Sequence, residues 1–258
     1  MPFYEIKNQT DTSSDLYIYG DIVTEKRMEW DGNEWRPSET DVDLKDFLEL
    51  VENLPGGRTL NIFIHSGGGN IFVASAMTSM LQRAQTRGVK VVSYIDGIAA
   101  SAASLFPMIS DESHIYMNSM LMIHKPSVDP RRPLNANELT QLADQLESVE
   151  NGTMIPLYKS RTKLTDQKLK NAIANETWYT ADEIMENFDG FTLHDETKAA
   201  AACASDYLAR YLHTPDSLMS KASPEPAQDP GKNINNPDMT SVYQDQINLK
   251  KKGRLQYD

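Results

Sequence analysis

The strongest constraint on the fold of this chain is a repeated order of strand, small-residue turn and helix. Apolar side chains alternate over residues 59–65, and the Ser-Gly-Gly-Gly run at 66–69 comes directly before a helical pattern over 71–87. A second strand over 89–95 leads into a helix of small residues over about 100–109. Because strands that alternate with helices pair in parallel, this order predicts an α/β domain with a parallel or mixed sheet.

The remainder of the chain extends this domain and then changes in composition. Two further strands are predicted within 114–124, followed by a long helix over 135–163 and an Ala-rich helix over 196–212. Residues 214–258 hold five of the 13 prolines and few apolar side chains, which predicts disorder. We therefore expect one domain over 1–213 and a disordered polar tail over 214–258.

Composition argues against several classes of function. The formal net charge of −12 disfavours binding to nucleic acid or to an anionic membrane, since both require Lys and Arg to contact phosphate. One cysteine, Cys203, and five scattered histidines give no metal-binding pattern. No run approaches the roughly 20 apolar residues that span a bilayer, and the polar N-terminal stretch does not resemble a signal peptide. A soluble, cytoplasmic protein without a metal is expected.

Ser101 stands where a nucleophile would be expected. It ends the sequence GIAAS at 97–101, at a junction between a strand and a helix. A nucleophilic serine needs an exposed Oγ at a tight turn, and a helix N-terminus behind it offers free N–H groups to an oxyanion. Close packing of small residues at such junctions produces the same pattern, so this motif alone leaves both interpretations open.

Two other strand ends carry groups suited to catalysis. His124 lies in the sequence MIHKP at 122–126, where a histidine is either a general base or a structural residue with satisfied hydrogen bonds. The run HSGGG at 65–69 is either a flexible turn or a turn whose N–H groups point at a ligand. It lacks the Lys-Ser/Thr ending of a P-loop and does not match GxGxxG, so nucleotide binding is not favoured.

Together, the three motifs resemble the Clp family of serine peptidases. In that family a glycine turn of the form NSPGG is followed by GxAAS, which holds the nucleophile, and by MIHxP, which holds the base. This chain has HSGGG, GIAAS and MIHKP in the same order and at matching intervals. The resemblance extends from about Leu16 to about Leu193. It implies a Clp/crotonase-like spiral α/β fold, a long helix after the catalytic His, and protomers that form a homo-oligomeric ring.

The resemblance also implies a role for each matching residue. Ser101 would attack the peptide carbonyl, and His124 would take its proton and pass it to the leaving amine. The backbone N–H groups of Gly68 and Ala102 would bind the oxyanion. Substrate would lie as an extended strand beside the sheet near Gly68. No cofactor is implied.

The third member of the triad is implied by a weaker match. The family places an acid in a segment of the form D-x-F-x-[ST]-A-x-E-A, just before a helix, and the corresponding stretch here begins at Glu176. Glutamate thus replaces the usual aspartate, and the alternative is that Glu176 is a solvated residue before a helix cap. Asp182 is the second candidate for the acid.

Departures from the family pattern bear on the biological role. Residues 127–133 replace the glycine-rich strand that usually follows the base, and residues 24–41 form an insertion around Trp30 and Trp35. No axial loop is evident at the N-terminus, so docking of an unfoldase ATPase gains no support. With the polar tail, these features resemble the Clp-like proteases of tailed phages and prophages, which mature the virus head inside the host cytoplasm.

The expected function is therefore hydrolysis of polypeptide substrates, among them capsid or scaffold proteins. One alternative is a housekeeping proteolytic subunit of an ATP-dependent Clp protease that works with an unfoldase. Two alternatives come from other classes of protein: a crotonase-like acyl-CoA enzyme, which uses a similar glycine turn, and a structural head component that has kept the fold without activity.

Overall fold

The computed structural model describes residues 6–7, 10, 12–128, 130, 132–196, 205 and 207–218. From residue 219 onward, the tail predicted over 214–258 lies outside the described residues, as do residues 197–204 of the helix predicted over 196–212. In the described ranges, no helix has the length and apolar character needed to cross a bilayer.

Twelve strands and seven α-helices make up the described chain. The strands are β1 (Ile6–Lys7), β2 (Ser13–Ile18), β3 (Ile22–Val23), β4 (Met28–Trp30), β5 (Trp35–Pro37), β6 (Val42–Asp43), β7 (Thr59–Ser66), β8 (Lys90–Ala100), β9 (Glu112–Tyr116), β10 (Met120–Ile123), β11 (Thr177–Tyr179) and β12 (Phe191–His194). The helices are α1 (Leu44–Glu52), α2 (Ile71–Thr86), α3 (Leu105–Ile109), α4 (Ala136–Val149), α5 (Ile155–Lys159), α6 (Asp166–Ala174) and α7 (Ala181–Asn187).

The central sheet is mainly parallel, with β8 at its middle. β2, β7 and β8 pair in parallel, and the first half of β8 pairs with β9 while its end pairs with β10. β12 lies parallel to β9, whereas β1 and β11 pair antiparallel with β2 and β10. The predicted α/β class with a parallel or mixed sheet is confirmed.

Alternating apolar side chains on the central strands build the core. In β7, Leu60, Ile62 and Ile64 are fully buried, and they join one apolar cluster with Phe47 of α1 and Leu81 of α2. Burial of a side chain of this size stabilises the fold by roughly 1.5–3 kcal/mol. The strands are therefore held firmly up to the point at which each one leaves the sheet.

The insertion at 24–41, expected to be irregular, contains the antiparallel hairpin of β4 and β5. Trp30 pairs with Trp35 across the two strands, with ring centroids 5.8 Å apart. The carboxylate of Asp31 accepts the N–H groups of Asn33 and Glu34 and so closes the turn. Both indoles stay exposed, at 54% and 63%, and a cross-strand aromatic pair of this kind stabilises a hairpin.

Two helix predictions need correction. The long helix predicted over 135–163 ends at Lys159 and passes through a π-helical turn at Glu150–Met154, between α4 and α5. Pro156 follows that turn, and a proline removes one helical hydrogen bond and crowds the preceding turn, which the wider π geometry accommodates. The helix predicted through residue 212 is wrong where it is described, since only a 3₁₀ turn, Leu208–Arg210, precedes an extended Tyr211.

Candidate active site

The ends of β8 and β10 bring Ser101 and His124 together. β8 continues through Gly97 to Ala100, beyond its predicted end, and Ala100 pairs with Met122 in the parallel register. Ser101 and His124 follow one and two residues later, at the same edge of the sheet. The Oγ of Ser101 lies 2.6 Å from Nε2 of His124, which is hydrogen-bond distance.

A left-handed backbone positions Ser101 at the start of a 3₁₀ turn. Its φ is 53°, a value that residues with a Cβ seldom adopt and that costs on the order of 1 kcal/mol. The hydroxyl of Ser104, in the same turn, donates to the Ser101 carbonyl and lies 2.7 Å from the hydroxyl of Tyr158, which is fully buried. These contacts stabilise the turn from which Oγ of Ser101 reaches His124.

Burial sets the protonation of His124. Desolvation of the ring lowers the pKa of His124 below its ordinary value, and the negative charge of Glu176 acts in the opposite direction. With its pKa lowered, the imidazole is neutral at pH 7 and is able to accept a proton from Ser101. The Ser101–His124 pair thus has the geometry and the charge state of a nucleophile beside a general base.

Gly68 lies against the peptide that joins Ser101 to Ala102. Its φ is 99°, and a Cβ added to Gly68 would lie 2.6 Å from the Ala100 carbonyl oxygen and 3.1 Å from the Ala102 nitrogen. The two residues predicted to bind an oxyanion are therefore neighbours. In this structure the Gly68 N–H donates to Oγ of Ser66 at 3.1 Å, so one of the two predicted donors already has an acceptor.

The carboxylate of Glu176 accepts two backbone N–H groups from a distant part of the chain. Leu212 donates at 2.9 Å and His213 at 2.6 Å, one to each carboxylate oxygen. Glu176 acts on His124 through its charge rather than through a hydrogen bond. Its φ of 48° is left-handed, as that of Ser101 is. Asp182, the second candidate for the acid, lies exposed in the first turn of α7.

Comparison with known proteins identifies the family. The Clp protease family matches residues 38–188, more than half of the sequence. The chain belongs to the Clp protease family. This matched region contains Gly68, Ser101, His124 and Glu176, and it ends before the residues that donate to Glu176.

One relative within the Clp protease family is the ATP-dependent Clp protease proteolytic subunit 1 of Protochlamydia amoebophila (strain UWE25). It is 25% identical to this chain over 142 residues, which cover 54% of this chain and 66% of the relative. The chain thus spans just under two thirds of the length of that protein.

A cavity of about 920 Å³ adjoins the Ser101–His124 pair of this Clp protease family member. Apolar residues from α2, α4, the π-helical turn and the stretch after β10 line much of it, namely Ile71, Phe72, Pro126, Val128, Leu142, Leu146 and Met154. A concave apolar surface beside polar reactive groups is typical of a substrate site. Within the described part of the chain, no group of three His, Cys, Asp or Glu side chains could hold a metal ion.

The remaining wall of the cavity is formed by a part of the chain that carries no recognisable motif. We call residues 207–214 the C-terminal segment; Tyr207, Arg210, Tyr211 and Leu212 line the cavity. The Tyr211 hydroxyl donates to the Gly67 carbonyl at 2.5 Å, and its ring lies 5.1 Å from the His124 ring. Burial raises the pKa of Tyr211, so the hydroxyl remains a neutral donor. The sequence analysis did not identify these residues as part of the site.

Proposed function

We propose that this chain is a serine endopeptidase with Ser101 as nucleophile and His124 as general base. The observation that carries the proposal is the 2.6 Å separation of Ser101 Oγ and His124 Nε2 in a member of the Clp protease family. His124 takes the proton as Oγ attacks the peptide carbonyl, and then gives it to the leaving amine. Water then attacks the carbonyl of the acyl-enzyme while His124 takes its proton, and His124 returns a proton to Oγ of Ser101 as the acid product leaves.

The tetrahedral intermediate carries a negative oxygen, which we assign to the backbone N–H groups of Gly68 and Ala102. Support comes from the close approach of the two residues, with Ala102 at the start of the 3₁₀ turn. The Gly68 N–H exchanges its Ser66 acceptor for the oxyanion, and this exchange is favourable because hydrogen bonds to charged acceptors are stronger than those to neutral ones. The charge of Glu176 stabilises the imidazolium that forms on His124.

The substrate in this proposal is a polypeptide bound in an extended conformation. Its backbone lies beside the glycine turn at 67–69, where main-chain groups are accessible to a pairing strand. One of its side chains enters the apolar cavity, which is large enough for an aromatic or long aliphatic group.

Labelling by a fluorophosphonate tests the proposal, because this reagent reacts with activated serines. The full chain is expected to incorporate one equivalent, and the Ser101→Ala chain none. Binding of coenzyme A in place of labelling would favour a crotonase-like acyl-CoA enzyme. If the chain neither reacts nor binds coenzyme A, a structural head component would be the better interpretation.

We further propose that the natural substrates are phage capsid or scaffold proteins, cleaved within the host cytoplasm by a homo-oligomeric ring. Support comes from the hairpin of β4 and β5 and from the substitution of residues 127–133 for a glycine-rich strand. In this proposal residues 214–258 form a polar tail that the enzyme removes in part from itself. Intact-mass measurement should show a shortened active chain, a full-length Ser101→Ala chain, and a cleaved partner when the capsid or scaffold protein is added.

An ATP-dependent role is the alternative, favoured by the name of the Protochlamydia relative. A chain of that kind would cleave folded proteins only when an ATP-driven unfoldase is supplied. Equal masses for the active and Ser101→Ala chains, an uncut capsid partner and a requirement for the unfoldase would together favour this alternative over head maturation.

A further inference from the structure

We propose that the C-terminal segment, with Ser205, is an intramolecular inhibitor that must leave the site before a polypeptide binds. This inference rests on the proposed peptidase function. It is carried by contacts between the segment and three groups that the reaction needs: the Gly67 carbonyl, the His124 ring and the Glu176 carboxylate.

The segment occupies the edge at which a substrate strand would pair. The Tyr211 hydroxyl donates a hydrogen bond to the Gly67 carbonyl, so this acceptor is already occupied. Ser205 and Leu208 lie against the same glycine, since a Cβ added to Gly67 would lie 2.1 Å from Ser205 Oγ and 3.4 Å from Leu208 Cγ. An extended peptide needs both that carbonyl and that space, so the peptide and the segment exclude each other.

The segment also binds the carboxylate of Glu176, so that this carboxylate is not directed at His124. Each oxygen of the Glu176 carboxylate accepts one N–H of the segment, from Leu212 or from His213. Such charge-assisted bonds hold the carboxylate in a fixed orientation. When the segment leaves, both oxygens are released and the side chain is free to turn towards the His124 ring. Opening of the site and completion of the triad are therefore one event.

The segment is anchored firmly at one end only, which makes release of its other end feasible. Ser205 donates to the buried carboxylate of Asp21, and Leu208 is 4% exposed, so this end is anchored. At the other end Leu212 is 84% exposed, and the only regular structure is one 3₁₀ turn. A segment whose regular structure is a single 3₁₀ turn opens at a low free-energy cost compared with global unfolding.

Variants of the full-length chain test the inhibitor. Tyr211→Ala removes the ring and the hydroxyl from the site. Leu212→Pro removes one N–H that binds Glu176, and Tyr211, with ψ of 145°, has the extended backbone that the residue before a proline adopts. Ala209→Ser, at an exposed position of the segment that does not line the cavity, keeps both N–H groups and is the control. Hydrolysis of a ten-residue fluorogenic peptide is expected to rise in kcat/KM by about tenfold in the first two variants, because each loses one hydrogen bond that holds the segment in the site. The control should stay within about twofold.

Hydrogen exchange supplies a readout that does not depend on catalysis. In the full-length Ser101→Ala chain, the amides of Leu212 and His213 should exchange at least about tenfold more slowly than in the Tyr211→Ala, Ser101→Ala double variant. If the amides of Leu212 and His213 are unprotected, or if the Tyr211→Ala chain hydrolyses the peptide no faster than the wild type, the inhibitory role is wrong. Either result would leave the role of Ser101 intact. If no chain, variants included, reacts with a fluorophosphonate, the proposed function fails and the inhibitory role fails with it.

Discussion

Ser101 and His124 meet because the parallel register of β8 and β10 aligns the two strand ends, with Ala100 opposite Met122. The resulting 2.6 Å contact between Oγ and Nε2 therefore depends on sheet pairing that ends one residue before Ser101 and two before His124. Functional groups held by strands keep their geometry better than groups held by loops. The orientation of the pair should persist when the C-terminal segment moves, so opening of the site changes access and the position of Glu176.

Ser101→Ala should abolish peptide hydrolysis and leave the fold intact. Loss of a triad member typically costs several orders of magnitude in rate, whereas the change removes only one hydroxyl. Ser148→Ala, which alters an exposed serine on α4, is the control and should retain full activity. Steady-state kinetics and a thermal melt measure the two properties. Activity within tenfold of the wild type would exclude Ser101 as the nucleophile.

The pH profile should reflect the lowered pKa of His124. Only the neutral imidazole acts as base, so kcat/KM falls as the pH drops through that pKa. Because burial lowers it, the acid limb should lie below the ordinary histidine value of about 6.5. Measurement of kcat/KM between pH 4 and 8 checks this, with the Tyr211→Ala chain as a more active comparison. A midpoint above the ordinary value would contradict the assignment of the base.

Glu176→Gln should slow turnover and shift the acid limb. Removal of the charge eliminates the influence that raises the pKa of His124, so the midpoint should move to lower pH. We expect a loss of roughly 10–10⁴-fold in kcat, the upper end being that of a triad aspartate replaced by its amide. Asp182→Asn, at an exposed position, is the control. A silent Glu176→Gln combined with an impaired Asp182→Asn would move the role of the acid to Asp182.

Gly68→Ala should destabilise the chain and disrupt the site together. The new Cβ would lie 2.6 Å from the Ala100 carbonyl oxygen, and the φ of 99° is unfavourable for alanine. Strain and overpacking together predict a loss of about 2–4 kcal/mol in the free energy of unfolding. Gly32→Ala is the matched control, since Gly32 has a φ of 97° and nothing within 4 Å of an added Cβ. It should cost only the backbone strain, about 1 kcal/mol. If urea unfolding shows the same loss of unfolding free energy in both variants, the close contact at Gly68 adds nothing to the cost of the backbone strain.

Local pattern predicted the end of β7 but not that of β8. Alternation of apolar residues stops at the Ser-Gly-Gly-Gly run at 66–69, whereas β8 continues five residues past its predicted end, through small residues, to Ala100. Spacing along the chain does not determine that Ser101 and His124, 23 residues apart, touch; the register of the parallel sheet does. For that reason, the expectation that Ser101 and His124 act together depended on the family resemblance.

Tertiary contacts account for what the sequence could not predict. Tyr211 reaches Gly67 across 144 positions, and no periodicity or motif marks such a contact. The bonds from Leu212 and His213 to Glu176 involve backbone N–H groups, which every residue other than proline carries. The π-helical turn at Glu150–Met154 contains Gly152 and precedes Pro156, and it interrupts a helix that was predicted to be continuous.

The left-handed backbone of Ser101 means that catalytic activity comes at a cost in stability. Glycine adopts a φ of 53° without a steric penalty, so Ser101→Gly would relieve about 1 kcal/mol of strain. A screen for thermostability alone would then favour chains without the serine. Laboratory evolution of this protein would have to select for turnover and heat resistance in the same experiment, because the most stable descendants would otherwise be inactive.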